Sequence, residues 1–135
     1  MLGRIAGSEH FRNIERYPAE TQPELLALRI DANLFFGNME SVTQRIECEL
    51  ATHQSARQLL LVMSAVNSID TTALMALAEL NQSLKRRGIG LHFAEVKGPV
   101  MDRLRNSTLL QQLNGKLFLS TANAWDQLHN IKDVA

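Results

Sequence analysis

The densest run of functional side chains is Asn67-Ser68-Ile69-Asp70-Thr71-Thr72, where three hydroxyls crowd one carboxylate. Such residues do two kinds of work at the start of a helix. Their oxygens accept the orphan N–H groups of the first turn, and for any single one of them that is the default role. A hydroxyl in this position also suits phosphorylation, because the added dianion meets the helix dipole and changes the local charge sharply. A third reading uses the backbone. The amides of Asp70-Thr71-Thr72, with the turn Lys97-Gly98-Pro99, form a candidate surface for an oxyanion or a nucleotide phosphate.

Other chemistries lack their residues. No glycine-rich phosphate loop is present, since Gly88-Ile89-Gly90 leads into a strand pattern rather than out of one. His10, His53, His92 and His129 have no metal-ligand spacing. Cys48 is the single cysteine, which excludes an intrachain disulfide and reads as an inert mid-helix thiol. Phe35-Phe36 reads as core, Lys85-Arg86-Arg87 as a solvated helix end and Trp125 as a packing residue. No base stands beside a nucleophile, so a non-enzyme is expected.

The elements that position the turn follow from periodicity. Leu59 to Val66 is apolar apart from Ser64, which predicts a strand covered on both faces. Thr71 to Arg87 predicts the clearest helix, with Asp70 or Ser68 as cap and Ala73, Leu77, Leu80 and Leu84 on the buried face. Lys85-Arg86-Arg87 and Gly88 supply its stop signals. Upstream, His10 to Tyr17 predicts a short edge strand, residues 18–23 a proline loop, and Leu25 to Asp31 a strand. Asn38 is the expected cap of a helix with Val42, Ile46 and Leu50 on one stripe, ending near His53. Downstream come a strand from Ile89 to Val96 and a helix after Pro99 that breaks near Asn106-Ser107. Leu109, Leu110 and Leu113 form a second apolar cluster, followed by a strand at 116–119. Ser120 or Thr121 caps a last helix carrying Ala124, Leu128 and Ile131. Alternating strands and helices predict an α/β fold with parallel pairing and right-handed crossovers, and an antiparallel strand at the front edge.

Composition sets outer bounds. The chain has 135 residues, 45% hydrophobic and 21% charged, as expected for one soluble globular domain. Lys+Arg 14 against Asp+Glu 14 leaves no basic excess, which argues against nucleic acid as a partner. No apolar run approaches the roughly 18 residues of a membrane span, and the first residues lack a signal-peptide core.

Ile69-Asp70-Thr71-Thr72-Ala73-Leu74 resembles the (hydrophobic)-Asp-Ser-Ser/Thr-Gly-Leu motif of the STAS domain, shared by sulfate transporters and anti-sigma factor antagonists. Its setting is similar too, with an apolar strand leading in and a helix ending in Lys-Arg-Arg-Gly leading out. The segment from Gly3 to Pro18 resembles the stretch joining the membrane part of bacterial SulP-type (sulfate permease) transporters to their STAS domain. Arg29-Ile30-Asp31, then Leu34-Phe35-Phe36-Gly37-Asn38, resembles the transporter pattern before the first helix, and Ala94 to Val100 the corresponding transporter turn.

The resemblance implies a STAS fold: a mixed, mostly parallel sheet of about five strands flanked by about four to five helices. It implies residues 1–9 as a flexible linker from a membrane domain and 10–135 as the STAS domain. It implies a non-catalytic regulatory and protein-interaction domain on the cytoplasmic face of the inner (plasma) membrane, within a secondary anion transporter. The implied partners are the membrane domain of the same transporter, cytoplasmic regulatory proteins and a second copy of the domain, with weak nucleotide or anion binding and no cofactor. Asn67, Ser68, Asp70, Thr71, Thr72, Lys97 and Gly98 form the implied interaction surface. Thr72 falls on the phosphorylated Ser/Thr of antagonist members, and Asp70 on the acid before it. Two departures stand out: Ala73 replaces the usual Gly, and the acceptor is Thr rather than Ser. The alternative is a free-standing anti-sigma factor antagonist regulated by phosphorylation of Thr72.

Overall fold

In a computed structural model, residues 11–13 and 24–134 are described. Their order is β1 (Phe11–Asn13), β2 (Leu25–Ile30), α1 (Phe36–Thr52), β3 (Gln58–Val62), α2 (Thr71–Arg86), β4 (Gly90–Ala94), α3 (Gly98–Arg105), α4 (Thr108–Gln112), β5 (Leu117–Phe118) and α5 (Thr121–Val134). The linker expected over 1–9, the rest of the first strand and the loop over 18–23 lie outside the described residues.

The sheet has five strands in chain order, β1-β2-β3-β4-β5. β1 runs antiparallel to β2, with Phe11 opposite Ile30, and β2 to β5 run parallel. Strands that advance one place at a time through right-handed crossovers must put their connecting helices on one face. The core divides accordingly. Leu26, Leu28, Ile30, Leu59, Leu61, Leu91 and Phe93 pack with residues of α1, α2, α3 and α4. Leu25, Ala27, Leu60, Val62, Ala94 and Phe118 point the other way and meet Ala124, Trp125 and Leu128 of α5. Alternate residues of β2 and β3 are thus buried on opposite faces, which is why these strands read as continuous apolar runs.

The α2 helix follows its expected signals. Asp70 caps it, Ala73, Leu74, Leu77, Leu80 and Leu84 are buried, and Gly88 takes a left-handed φ of 74°. Ile89 N–H donates to Leu84 O at 2.9 Å and Gly88 N–H to Lys85 O at 3.1 Å, closing the helix with the paired bonds that a glycine at C′ permits.

Several expectations shift. The strand predicted to Val66 ends at Val62. Met63 N–H still donates to Ala94 O, but Val66 N–H turns back to Met63 O. Met63 and Val66 are fully buried, so the run is apolar because it plugs the end of the core. The next strand stops at Ala94, where Glu95 adopts a φ of 59°. The expected break near Asn106-Ser107 separates α3 from α4.

The α1 helix begins earlier than predicted. Its N-cap is Phe35, and Asn38 sits inside the first turn with its Oδ1 accepting Phe35 N–H at 3.0 Å. Phe35 and Phe36, expected in the core, are 50% and 75% exposed.

Candidate functional site

Parallel neighbours bring the loops after β2, β3 and β4 to one end of the sheet, where open α/β sheets place their sites. Here the loops are laced together. Leu34 and Ile69 form a single parallel bridge, with Leu34 N–H donating to Ser68 O and Asp70 N–H to Leu34 O, both at 3.0 Å. Asn33 Oδ1 accepts Asn67 N–H at 2.7 Å and Ser68 N–H at 3.3 Å. The turn is therefore held by a neighbouring loop, not by its own hydroxyls.

Asp70 lies at the junction. Its Oδ1 accepts Ala73 N–H at 2.8 Å and its Oδ2 accepts Phe36 N–H at 3.0 Å. These amides, chiefly that of Ala73 and then that of Phe36, hold its carboxyl below the usual carboxylate range, with help from the charge of Arg103. A carboxylate so occupied stays ionised at neutral pH and is poorly suited to proton transfer.

The structure brings the two predicted turns together. Lys97 Nζ donates to Asn67 Oδ1 at 2.7 Å. Thr71 Oγ1 accepts from Arg103 Nη2 at 3.1 Å. Thr72 is exposed at the second position of α2, and Ser68 is exposed beside the Leu34–Ile69 bridge. Gly98 is exposed and opens α3, and a Cβ there would meet nothing within 4 Å.

Two residues escaped the sequence reading. Asn33 gives no local signal, because its partners lie 34 and 35 positions away. Arg103 had one: it falls four residues after Pro99, on the same helical face. It borders two shallow clefts. One, of about 400 Å³, is lined by Leu34, Phe35, Asn67, Ser68, Asp70 and Pro99. The other, of about 340 Å³, lies between α2 and the α3–α4 pair and includes Leu74, Met75, Ser107 and Leu109.

Among the described residues, no group of three or more His, Cys, Asp and Glu side chains could hold a metal ion. Cys48 is exposed on α1. No described helix is long and apolar enough to cross a membrane.

Comparison with known proteins agrees with this architecture. The family described as the STAS domain matches residues 16–124. Sulfate transporter 3.2 of Arabidopsis thaliana is 37% identical over 135 residues, covering 92% of this chain and 21% of that protein. Sulfate transporter 1.3 of the same plant is 34% identical over 137 residues, covering 93% and 21%. The chain thus spans about a fifth of the length of these relatives. Among solved structures, a putative anti-sigma factor antagonist from Thermotoga maritima superposes with a TM-score of 0.70 at 17% identity, covering 82% of this chain and 92% of that one. The murine Solute Carrier 26 family member A9 anion transporter also gives 0.70, at 18% identity, covering 91% of this chain and 21% of that one.

Proposed function

The chain belongs to the STAS domain family, and on that premise we propose that it is the non-catalytic regulatory and interaction domain of a sulfate-type secondary anion transporter, on the cytoplasmic side of the membrane. The observation that carries this is the kinship with sulfate transporters at 34–37% identity over more than nine-tenths of the chain. The likeness to the antagonist, at 17% identity, supports the shared fold alone. The carrier's transport would reside in the rest of the polypeptide, with this domain setting its rate or docking partners. The laced turn supports a recognition role, since Asp70 spends both oxygens on backbone amides and leaves its chemistry inert. Asn67, Ser68, Asp70, Thr71, Thr72, Lys97 and Gly98 form the surface we assign to that role, with Arg103 and Asn33 added. Thr72, exposed at the helix start, is the candidate phosphorylation site.

The test is sulfate uptake by the full-length protein in cells without uptake of their own. We expect uptake, and a changed rate in the Asn67→Ala/Lys97→Ala double variant at equal membrane abundance. A full-length protein that moves no inorganic anion, and whose Thr72 is phosphorylated by a partner kinase, would replace this reading with the antagonist one.

A further inference from the structure

We propose that Asn114 is a site of spontaneous deamidation, and that its conversion to aspartate or isoaspartate releases β5 from the edge of the sheet. Asn114 is the one asparagine of this chain that a glycine follows. Deamidation begins when the next residue's backbone nitrogen attacks the asparagine side chain, and a glycine, with no Cβ, leaves that approach open. Asn114 is also exposed, in a bend between α4 and β5 rather than inside a helix or strand. Water reaches the reacting atoms there, and such segments open locally at low cost.

The reaction needs only water. The Gly115 nitrogen gives up its proton and bonds to Asn114 Cγ. The Cγ–Nδ2 bond breaks, and ammonia leaves carrying that proton. Water then opens the succinimide at either carbonyl. One opening gives aspartate; the other gives isoaspartate, in which Cβ has joined the main chain. Each product carries a carboxylate where a neutral amide stood, and its proton passes to solvent.

Packing keeps this labile pair in place. A Cβ at Gly115 would lie 2.6 Å from His92 Nδ1 and closer still to the Leu91 carbonyl oxygen, so glycine is required. The Asn114 amide is used as well. Its Nδ2 donates to Ile89 O at 2.7 Å, and its backbone N–H donates to Asn81 Oδ1 at 3.1 Å. Asn81 is buried in α2, and its own Nδ2 donates to Gln112 O at 2.8 Å. These bonds hold the loop over 112–115 against α2 and the lead-in to β4. The Asn114 side chain must turn from Ile89 O to the Gly115 nitrogen to cyclise. The reaction therefore records openings of this loop, and closing does not reverse it.

Deamidation removes the donor. A carboxylate then faces the Ile89 carbonyl, two acceptors with no proton between them. Isoaspartate also lengthens the backbone just before Lys116, where pairing with β4 begins. β5 is two residues long. It is joined to β4 through Phe93 N–H on Lys116 O at 3.1 Å and Glu95 N–H on Phe118 O at 3.2 Å. Lys116 N–H on His92 Nδ1 at 3.0 Å stands beside them. So few bonds do not survive a shift of register, and with β5 goes the Phe118 anchor of the cluster under α5.

The experiment incubates the intact, folded protein and its Asn114→Gln variant in mildly alkaline water enriched in heavy oxygen. Peptide mass spectrometry then maps each asparagine, since ring opening by heavy water marks the new carboxylate. We expect label at position 114 several-fold faster than at Asn67 or Asn106, which serines follow, and none at position 114 of the glutamine variant. In Asn114→Asp and in the aged protein, hydrogen exchange should quicken several-fold at the Phe93 and Glu95 amides. The Met63 amide, bound to Ala94 O between β3 and β4, should not change. Label entering Asn67 or Asn106 first would overturn the site. Unchanged exchange at Phe93 and Glu95, or equal quickening at Met63, would overturn the release of β5.

Discussion

Asp70 joins the starts of two helices, its Oδ1 accepting the Ala73 amide of its own helix and its Oδ2 the amide of Phe36, 34 positions away. One negative charge thereby meets the positive ends of both α1 and α2. This explains how α1 begins at a phenylalanine with no polar side chain of its own to cap it.

Asp70→Ala should lower the thermal midpoint more than Asp70→Asn, which keeps one acceptor. Hydrogen exchange should quicken at both the Phe36 and Ala73 amides in the alanine variant. Because its native carboxyl titrates below the ordinary range, the Asp70 contribution is complete at neutral pH. It is lost only as pH falls through that range to the depressed native value. Unchanged exchange at Phe36 would show that the bond across the two loops is dispensable.

Thr72→Glu should stabilise the domain by about 0.5 kcal/mol, because a carboxylate in the first turn of α2 meets the dipole without burial. Thr72→Lys should act in the opposite sense. Urea unfolding at low ionic strength measures both, and the difference should shrink at high salt. Equal midpoints for the two variants would mean that charge at this position does not reach the helix.

His92 makes folding acid-sensitive. It is 3% exposed, its Nδ1 accepts Lys116 N–H at 3.0 Å, and its Nε2 lies 2.6 Å from Gln58 Oε1. The Nδ1 acceptor fixes the proton on Nε2. Burial first, and then the charge of Lys116, lower its pKa to about 4. The unfolded chain takes up this proton near pH 6.5 and the folded chain only near 4, so stability falls with pH across that window. The loss approaches about 3 kcal/mol at its lower end. Stability measured against pH should flatten in His92→Gln, and a native His92 resonance titrating near 6.5 would refute the assignment.

Gly115→Ala should cost more than Gly88→Ala. A Cβ at Gly115 would lie 2.0 Å from the Leu91 carbonyl oxygen and 2.6 Å from His92 Nδ1. The β4 backbone must move, at a cost of about 3 kcal/mol. At Gly88 nothing lies within 4 Å, and only the left-handed φ of 74° is penalised, by about 1–2 kcal/mol. Chemical denaturation orders the two, and a milder Gly115 variant would mean that β4 and β5 separate easily.

Local patterns were legible where the physics is local. The caps and stop of α2, the break between α3 and α4, and the antiparallel front edge all follow from neighbouring residues. Met63 to Val66 misled because burial beneath a sheet end leaves the same apolar imprint as a strand. Phe35-Phe36 misled because apolarity alone does not tell a core position from an exposed one. His92 carried no hint of its burial, since its partners Gln58 and Lys116 stand 34 and 24 positions away.

The sequence by itself determined the α/β order, the parallel sheet, the family resemblance and the turn at Asn67 to Thr72. Periodicity, capping chemistry and a contiguous motif are properties of short stretches, and short stretches are what a sequence displays. Tertiary structure alone decided that Asn33 holds that turn, that Asp70 serves two helices, and that Arg103 stands between two clefts. Those relations arise only when parallel pairing carries three loops to one end of the sheet. A hydrogen bond between residues some 34 positions apart leaves no periodic trace in either stretch.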